Sequence, residues 1–142
     1  MYFRISLIAL LVLGPFSAQA SFFDGKDTLL CSVHQLYECS PPNGCASVTA
    51  DEIGGVSQFE VDFGKKLITR AGQESPRKSV IKSVEANVDG KLIIQGAEDG
   101  RKDERDGAGW TISVMDPEGT MTLAAAGDGF AIVGLGACVP KP

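Results

Sequence analysis

Hydrophobic and polar residues alternate with a period of two along much of this chain. The segment SQFEVDF places Phe59, Val61 and Phe63 on one face, and WTISVM does the same with Trp110 and Ile112. The segments TMTLAAA and GFAIVGLGAC continue the pattern. Because successive side chains of a strand point to opposite sides, the alternation predicts β-strands with one buried face. No segment combines a 3.6-residue hydrophobic period with capping residues, so we expect an all-β fold.

Turn-forming sequences separate the predicted strands. They are FGKK at 63–66, VDGK at 88–91, DPEG at 116–119 and GDG at 127–129. Such turns join neighbouring antiparallel strands, so the chain should run as a meander. We expect about eight antiparallel strands and leave open whether the second of the following ranges forms one. The ranges are 28–37, 45–49, 57–63, 65–70, 78–87, 91–97, 109–115, 119–126 and 130–138.

A meander of this length favours a small up-and-down β-barrel. Closure of the sheet would remove the exposed strand edges that promote aggregation. An open β-sandwich is the alternative architecture.

The first twenty residues have the layout of a secretory signal peptide. Arg4 precedes an apolar stretch, and AQA places small residues before a cut after Ala20. Residues 21–142 would then form a single domain, periplasmic or secreted. No later segment approaches the ~20 apolar residues that a transmembrane helix needs, so we expect no integral membrane segment after cleavage.

The four cysteines, an even number in a chain expected to be exported, predict two disulfides. Of the three possible pairings we favour Cys39–Cys45 and Cys31–Cys138. The residues SPPNG between Cys39 and Cys45 form turns readily, which would bring this pair together across a hairpin. The second bond would link the first strand to the last. Its long loop predicts a stabilisation of roughly 4–5 kcal/mol.

Charge and motif content narrow the possible functions. The net charge of −5 argues against nucleic acid, whose binding proteins need a basic surface. Cys31 and His34 form a C-x-x-H pair, but an extended strand would point them in opposite directions, and no paired CxxC of a zinc site is present. We therefore expect neither metal nor cofactor. No GxSxG motif accompanies the single histidine, and no catalytic residue is assigned.

Large apolar residues of the predicted strands are candidates for lining a ligand cavity. They are Phe59, Phe63, Trp110, Met121 and Phe130. An eight-stranded barrel is just wide enough to be filled by side chains or to hold one small ligand. The same residues would equally form an ordinary core, and the sequence leaves both readings open.

A charged loop at residues 97–109 is a candidate partner contact. Its acidic residues Asp103, Glu104 and Asp106 alternate with arginine and lysine, which does not match the oxygen spacing of a calcium loop. A solvated hairpin loop is the alternative interpretation. The functional interpretation is that these three residues contact a protein partner.

Three parts of the sequence are distinctive: the early cysteines, the segment FEVDFGKKLITR and the ending GWTISVMDPEGTMTLAAAGDGFAIVGLGAC. In these parts the chain resembles a group of small exported bacterial proteins. The resemblance implies a fold and export but no activity. Periplasmic lysozyme inhibitors are similar in size and barrel form, but their SGxxY motif does not occur here. The lipocalin GxW near the first strand is also missing.

These observations favour an exported, disulfide-linked domain that acts by binding. A protein-interaction or inhibitor-like module is the leading hypothesis, and a carrier of a small apolar ligand is the alternative. An enzyme of unknown class is the second alternative.

Overall fold

The computed structural model describes residues 21–71, 79–100, 103–104 and 106–142, and the predicted signal peptide lies outside them. The described residues contain nine strands and no helix, which confirms the all-β prediction. The strands are β1 (Leu29–Ser40), β2 (Gly44–Val48), β3 (Gln58–Asp62), β4 (Leu67–Arg70), β5 (Ser79–Glu85), β6 (Lys91–Glu98), β7 (Ala108–Met115), β8 (Thr120–Gly127) and β9 (Phe130–Pro140). The second strand, which the sequence left open, is therefore formed.

The sheet closes into an eight-stranded barrel. Strands β3 to β9 pair with their neighbours in chain order, all antiparallel, and β1 closes the ring by pairing with both β3 and β9. The barrel prediction is confirmed, and the open sandwich is wrong. Strand β2 is an extra strand that lies outside the ring.

The length of β1 explains how the extra strand is accommodated. Its first residues, Leu29–Ser32, pair with β3, whereas Leu36–Ser40 pair with β2 on the same edge. Its other edge pairs with β9 along nearly the whole strand. The β1–β2 hairpin therefore extends beyond β3 at the end of the barrel where β4, β6 and β8 finish. We call this end the open end.

The opposite end, which we call the closed end, is filled by apolar side chains. Leu29, Leu92, Val114 and Met121 are completely or almost completely buried there. Residues before β1 cross this end and insert Phe23 into the same hydrophobic core. Each fully buried side chain of this size contributes on the order of 1.5–3 kcal/mol to folding. The barrel is consequently packed solid at the closed end.

The two disulfides have the predicted pairings. Cys31 is bonded to Cys138 and lies directly opposite it on β1 and β9. Cys39 is bonded to Cys45, also directly opposite, across the β1–β2 hairpin. Two disulfides are consistent with an oxidising, extracellular compartment. Among the described residues there is no helix long and apolar enough to cross a membrane.

The two disulfides differ in accessibility, and we expect them to differ in reduction. Cys31 and Cys138 are 0% and 2% exposed, whereas Cys45 is exposed at the hairpin. Because exchange requires a thiolate to reach a sulfur atom, glutathione should reduce Cys39–Cys45 well before Cys31–Cys138. Alkylation followed by peptide mass spectrometry will show label on Cys39 and Cys45 first, and on all four cysteines in denaturant. Simultaneous labelling of both pairs in the folded protein would contradict this.

Candidate ligand-binding cavity

A cavity of about 400 Å³ occupies the open end of the barrel. All eight strands of the ring contribute to its wall, together with the loop of residues 53–56. It is partly open to solvent, and its volume falls within the range of small-molecule sites, about 300–1,000 Å³. The interior is thus filled at one end and hollow at the other.

The bottom of the cavity is aromatic and aliphatic. Phe59, Ile68, Trp110 and Ile112 reach it from β3, β4 and β7. Trp110 is 8% exposed and rests against the backbone of Gly96 on β6. A Cβ atom at position 96 would lie 2.3 Å from Trp110 Cζ2, a distance that atoms do not tolerate. A glycine at 96 is therefore required for the indole to lie in this position.

The indole nitrogen of Trp110 has no hydrogen-bond partner within the described part of the chain, although it is buried. A buried donor without a partner costs about 1–3 kcal/mol, and most native proteins avoid it. The nitrogen atom itself is not exposed to the cavity, so Trp110 contributes the apolar surface of its ring to the cavity wall.

The loop of residues 49–56 forms part of the rim. Glu52 accepts hydrogen bonds from the backbone N–H and the hydroxyl of Thr49, at 2.6 and 2.8 Å. The Gly55 N–H donates to the Ala50 carbonyl at 2.8 Å and closes the turn. The hydrogen bonds from Thr49 hold the pKa of Glu52 below its usual value. Since these bonds favour the carboxylate, they persist as the pH falls until Glu52 is protonated.

Polar side chains lie on one side of the rim. Arg70 ends β4, Ser79 begins β5 and Glu98 ends β6, and all three line the cavity with Thr69. Arg70 Nη2 donates a hydrogen bond of 3.4 Å to the carbonyl of Gly55. Glu98 is already engaged in an interaction within the protein. The cavity therefore joins an apolar bottom to a rim with charged and hydroxyl groups.

Two of the five predicted ligand-lining residues, Phe59 and Trp110, lie at this cavity. Met121 is fully buried in the core, and Phe63 packs against that core from the turn after β3. The Phe130 ring lies against Gly127. The alternation of the five predicted residues indicated which positions face inward. It did not indicate how far along the barrel axis each residue lies.

Several lining residues were not predicted as ligand contacts. Leu123 and Ala125 continue the inward-facing alternation of β8, which is a signal the sequence does contain. Leu36 is out of phase with Leu29 and Cys31 and faces inward because of the bulge between Val33 and Gln35. Arg70 and the loop at 53–56 have no such signal. The loop reaches the cavity because it crosses toward the end of β4, whereas Arg70 lies directly opposite Phe59 in the β3–β4 pair.

The charged loop between β6 and β7 also lies at the open end. Asp103 and Glu104 are exposed, and Glu104 and Asp106 take part in interactions within the protein. Asp106 is half-buried, and a Cβ atom at Gly100 would lie 2.7 Å from its Oδ1 atom. Asp106 thus belongs to the internal packing of the loop. Contact of these three residues with a partner stays a prediction.

All four cysteines are disulfide-bonded, so none of them offers a free thiol. Within the described ranges no group of three or more histidine, cysteine, aspartate or glutamate side chains could hold a metal ion. His34, the single histidine, is exposed on β1.

Fold and cavity together define a small disulfide-linked, up-and-down β-barrel with an internal site at one end. No protein-family model, curated protein or solved structure matches the chain. The cavity is the feature of the described residues that bears most directly on function.

Proposed function

We propose that this protein is an exported β-barrel that binds a small, largely apolar ligand in the open-end cavity. The observation that carries the proposal is the cavity itself. A barrel of this size can be filled by its own side chains, and the closed end is filled in this way, whereas the open end is hollow. Export is supported by the two disulfides and by the signal-peptide pattern of residues 1–20.

The size of the cavity limits the ligand. A water-sized group occupies about 30 Å³, so 400 Å³ accommodates on the order of a dozen non-hydrogen atoms. A ligand of this size with a good apolar fit would bind with a Kd on the order of 10 µM. Decanol, with a ten-carbon chain and one hydroxyl group, is a suitable neutral probe.

Filling the cavity should abolish binding. Ala125 on β8 lines the cavity, whereas the next residue toward the start of β8, Ala124, is exposed on the outer face. In Ala125→Phe the added ring would occupy a substantial part of the cavity, so we expect the affinity for decanol to fall at least tenfold. Trp110 is the only tryptophan and lies in the cavity wall, so its fluorescence reports binding directly.

The matched variant Ala124→Phe adds the same ring outside the barrel. It should bind decanol as the unmodified protein does. Retained affinity in Ala125→Phe, with the same change of Trp110 emission, would show that the ligand does not enter this cavity. The binding proposal would then fail.

The protein-interaction hypothesis keeps one supporting observation. Asp103 and Glu104 are exposed at the open end, on the loop that joins β6 to β7. Because Glu98 at the start of this loop also lines the cavity, a partner that binds the loop would lie next to the cavity mouth.

A further inference from the structure

We propose that the ligand is a single-chain amphiphile with an anionic head group, whose head group pairs with Arg70 at the rim while its chain lies against Trp110. This inference rests on the binding function proposed above and adds the chemical class of the ligand. It depends on the positive charge of Arg70, on the hydrogen bonds that Arg70 makes within the protein, and on the size of the cavity.

Arg70 is the only cationic residue among the described residues that line the cavity. Its one hydrogen bond to a described residue is the 3.4 Å contact to the Gly55 carbonyl, and it forms no ion pair with any of them. A guanidinium group has five N–H donors arranged in a plane. Most of these donors remain available at the rim.

No polar side chain of the described wall forms a hydrogen bond or an ion pair with Arg70. Thr69 and Ser79 are neutral hydroxyl side chains, and Glu98 is already engaged within the protein. A guanidinium beside an apolar cavity binds a carboxylate through two parallel hydrogen bonds, which neutral head groups cannot match. Arg70 is therefore a cation at the rim whose unused donors fit an anionic head group.

The apolar part of the ligand follows from the aromatic and aliphatic side chains of the wall. Phe59, Trp110 and Ile112 offer no charged group below the rim, so the part of the ligand that enters the barrel must be apolar. With space for about a dozen non-hydrogen atoms, a ten-carbon acid such as decanoate would fill the cavity and place its carboxylate at the rim.

The experiment compares decanoate with decanol, which has the same chain and no charge. Titrations of the oxidised, purified protein are followed by Trp110 fluorescence and by calorimetry. We expect decanoate to bind about tenfold more tightly than decanol, and we expect Arg70→Gln to reduce this preference to about one. The control Lys65→Gln removes the same charge from the turn after β3 at the closed end, where Lys65 pairs with Asp62, and should keep the preference.

The outcomes separate this inference from the proposed function. Equal affinity for decanoate and decanol in the unmodified protein would overturn the anionic head group and leave the cavity as a binding site. A stronger response to decyltrimethylammonium than to decanoate would also overturn it and would assign the preference to Glu98. Absence of binding by every ten-carbon probe would overturn the proposed function itself.

Discussion

Replacing Cys31 and Cys138 by alanine should lower the free energy of unfolding by about 5 kcal/mol. The bond joins residues 107 positions apart, so its loss releases a very long loop in the unfolded chain. Small domains are stable by only about 5–15 kcal/mol in total. We therefore expect the urea midpoint to fall sharply, with much of the variant unfolded at moderate temperature.

The double replacement of Cys39 and Cys45 is the matched control. Its loop spans a separation of only 6 residues, and the same entropy argument gives about 2 kcal/mol. This hairpin is also at the surface, so its loss leaves the core intact. If both double variants lose the same free energy of unfolding, loop length does not determine the contribution of these disulfides.

Gly136→Ala should destabilise the barrel by about 3 kcal/mol or more. A Cβ atom at position 136 would lie 2.0 Å from the carbonyl oxygen of Ser32 on β1 and 2.9 Å from Met121 Cε. The first contact is with backbone, so relief requires β1 and β9 to separate where they close the barrel. Overpacking of a core costs about 1–3 kcal/mol, and a backbone clash at this junction belongs at the upper end or above.

Gly134→Ala, two residues earlier on the same inward face, tests whether the effect is steric. There the nearest atom to an added Cβ is Leu36 Cδ2 at 3.2 Å, the end of a flexible side chain. Replacement of glycine also reduces the entropy of the unfolded chain, which offsets part of any strain. We expect Gly134→Ala to change the free energy of unfolding by less than about 1 kcal/mol. Equal losses in the two variants, measured by urea unfolding, would contradict the steric explanation.

Most of the fold could be predicted from the sequence because its signals are local. Alternation in SQFEVDF predicted β3, and turns such as DPEG marked the boundary between β7 and β8. The disulfide pairing followed from a turn-rich spacer between Cys39 and Cys45, which leaves Cys31 and Cys138 to each other. The sequence left open whether β2 forms, because its five residues contain little alternation and its pairing depends on the length of β1.

The candidate site could be predicted only in part. A period of two identifies which residues point inward, and this correctly placed Phe59 and Trp110 in the interior. It does not identify the layer of the barrel to which each residue belongs. Met121, equally inward-facing, lies in the packed closed half instead.

Local sequence patterns therefore predicted the order of the strands, the disulfide pairs and the inward faces of the strands. The height of each residue along the barrel axis depends on the stagger between strands, and two bulges, in β1 and β5, shift that stagger. Only the closed barrel brings Arg70 to the loop at Gly55 and leaves space above Trp110. The cavity exists because strand register and loop crossing, which are long-range properties, leave the open end without enough side-chain volume to fill it.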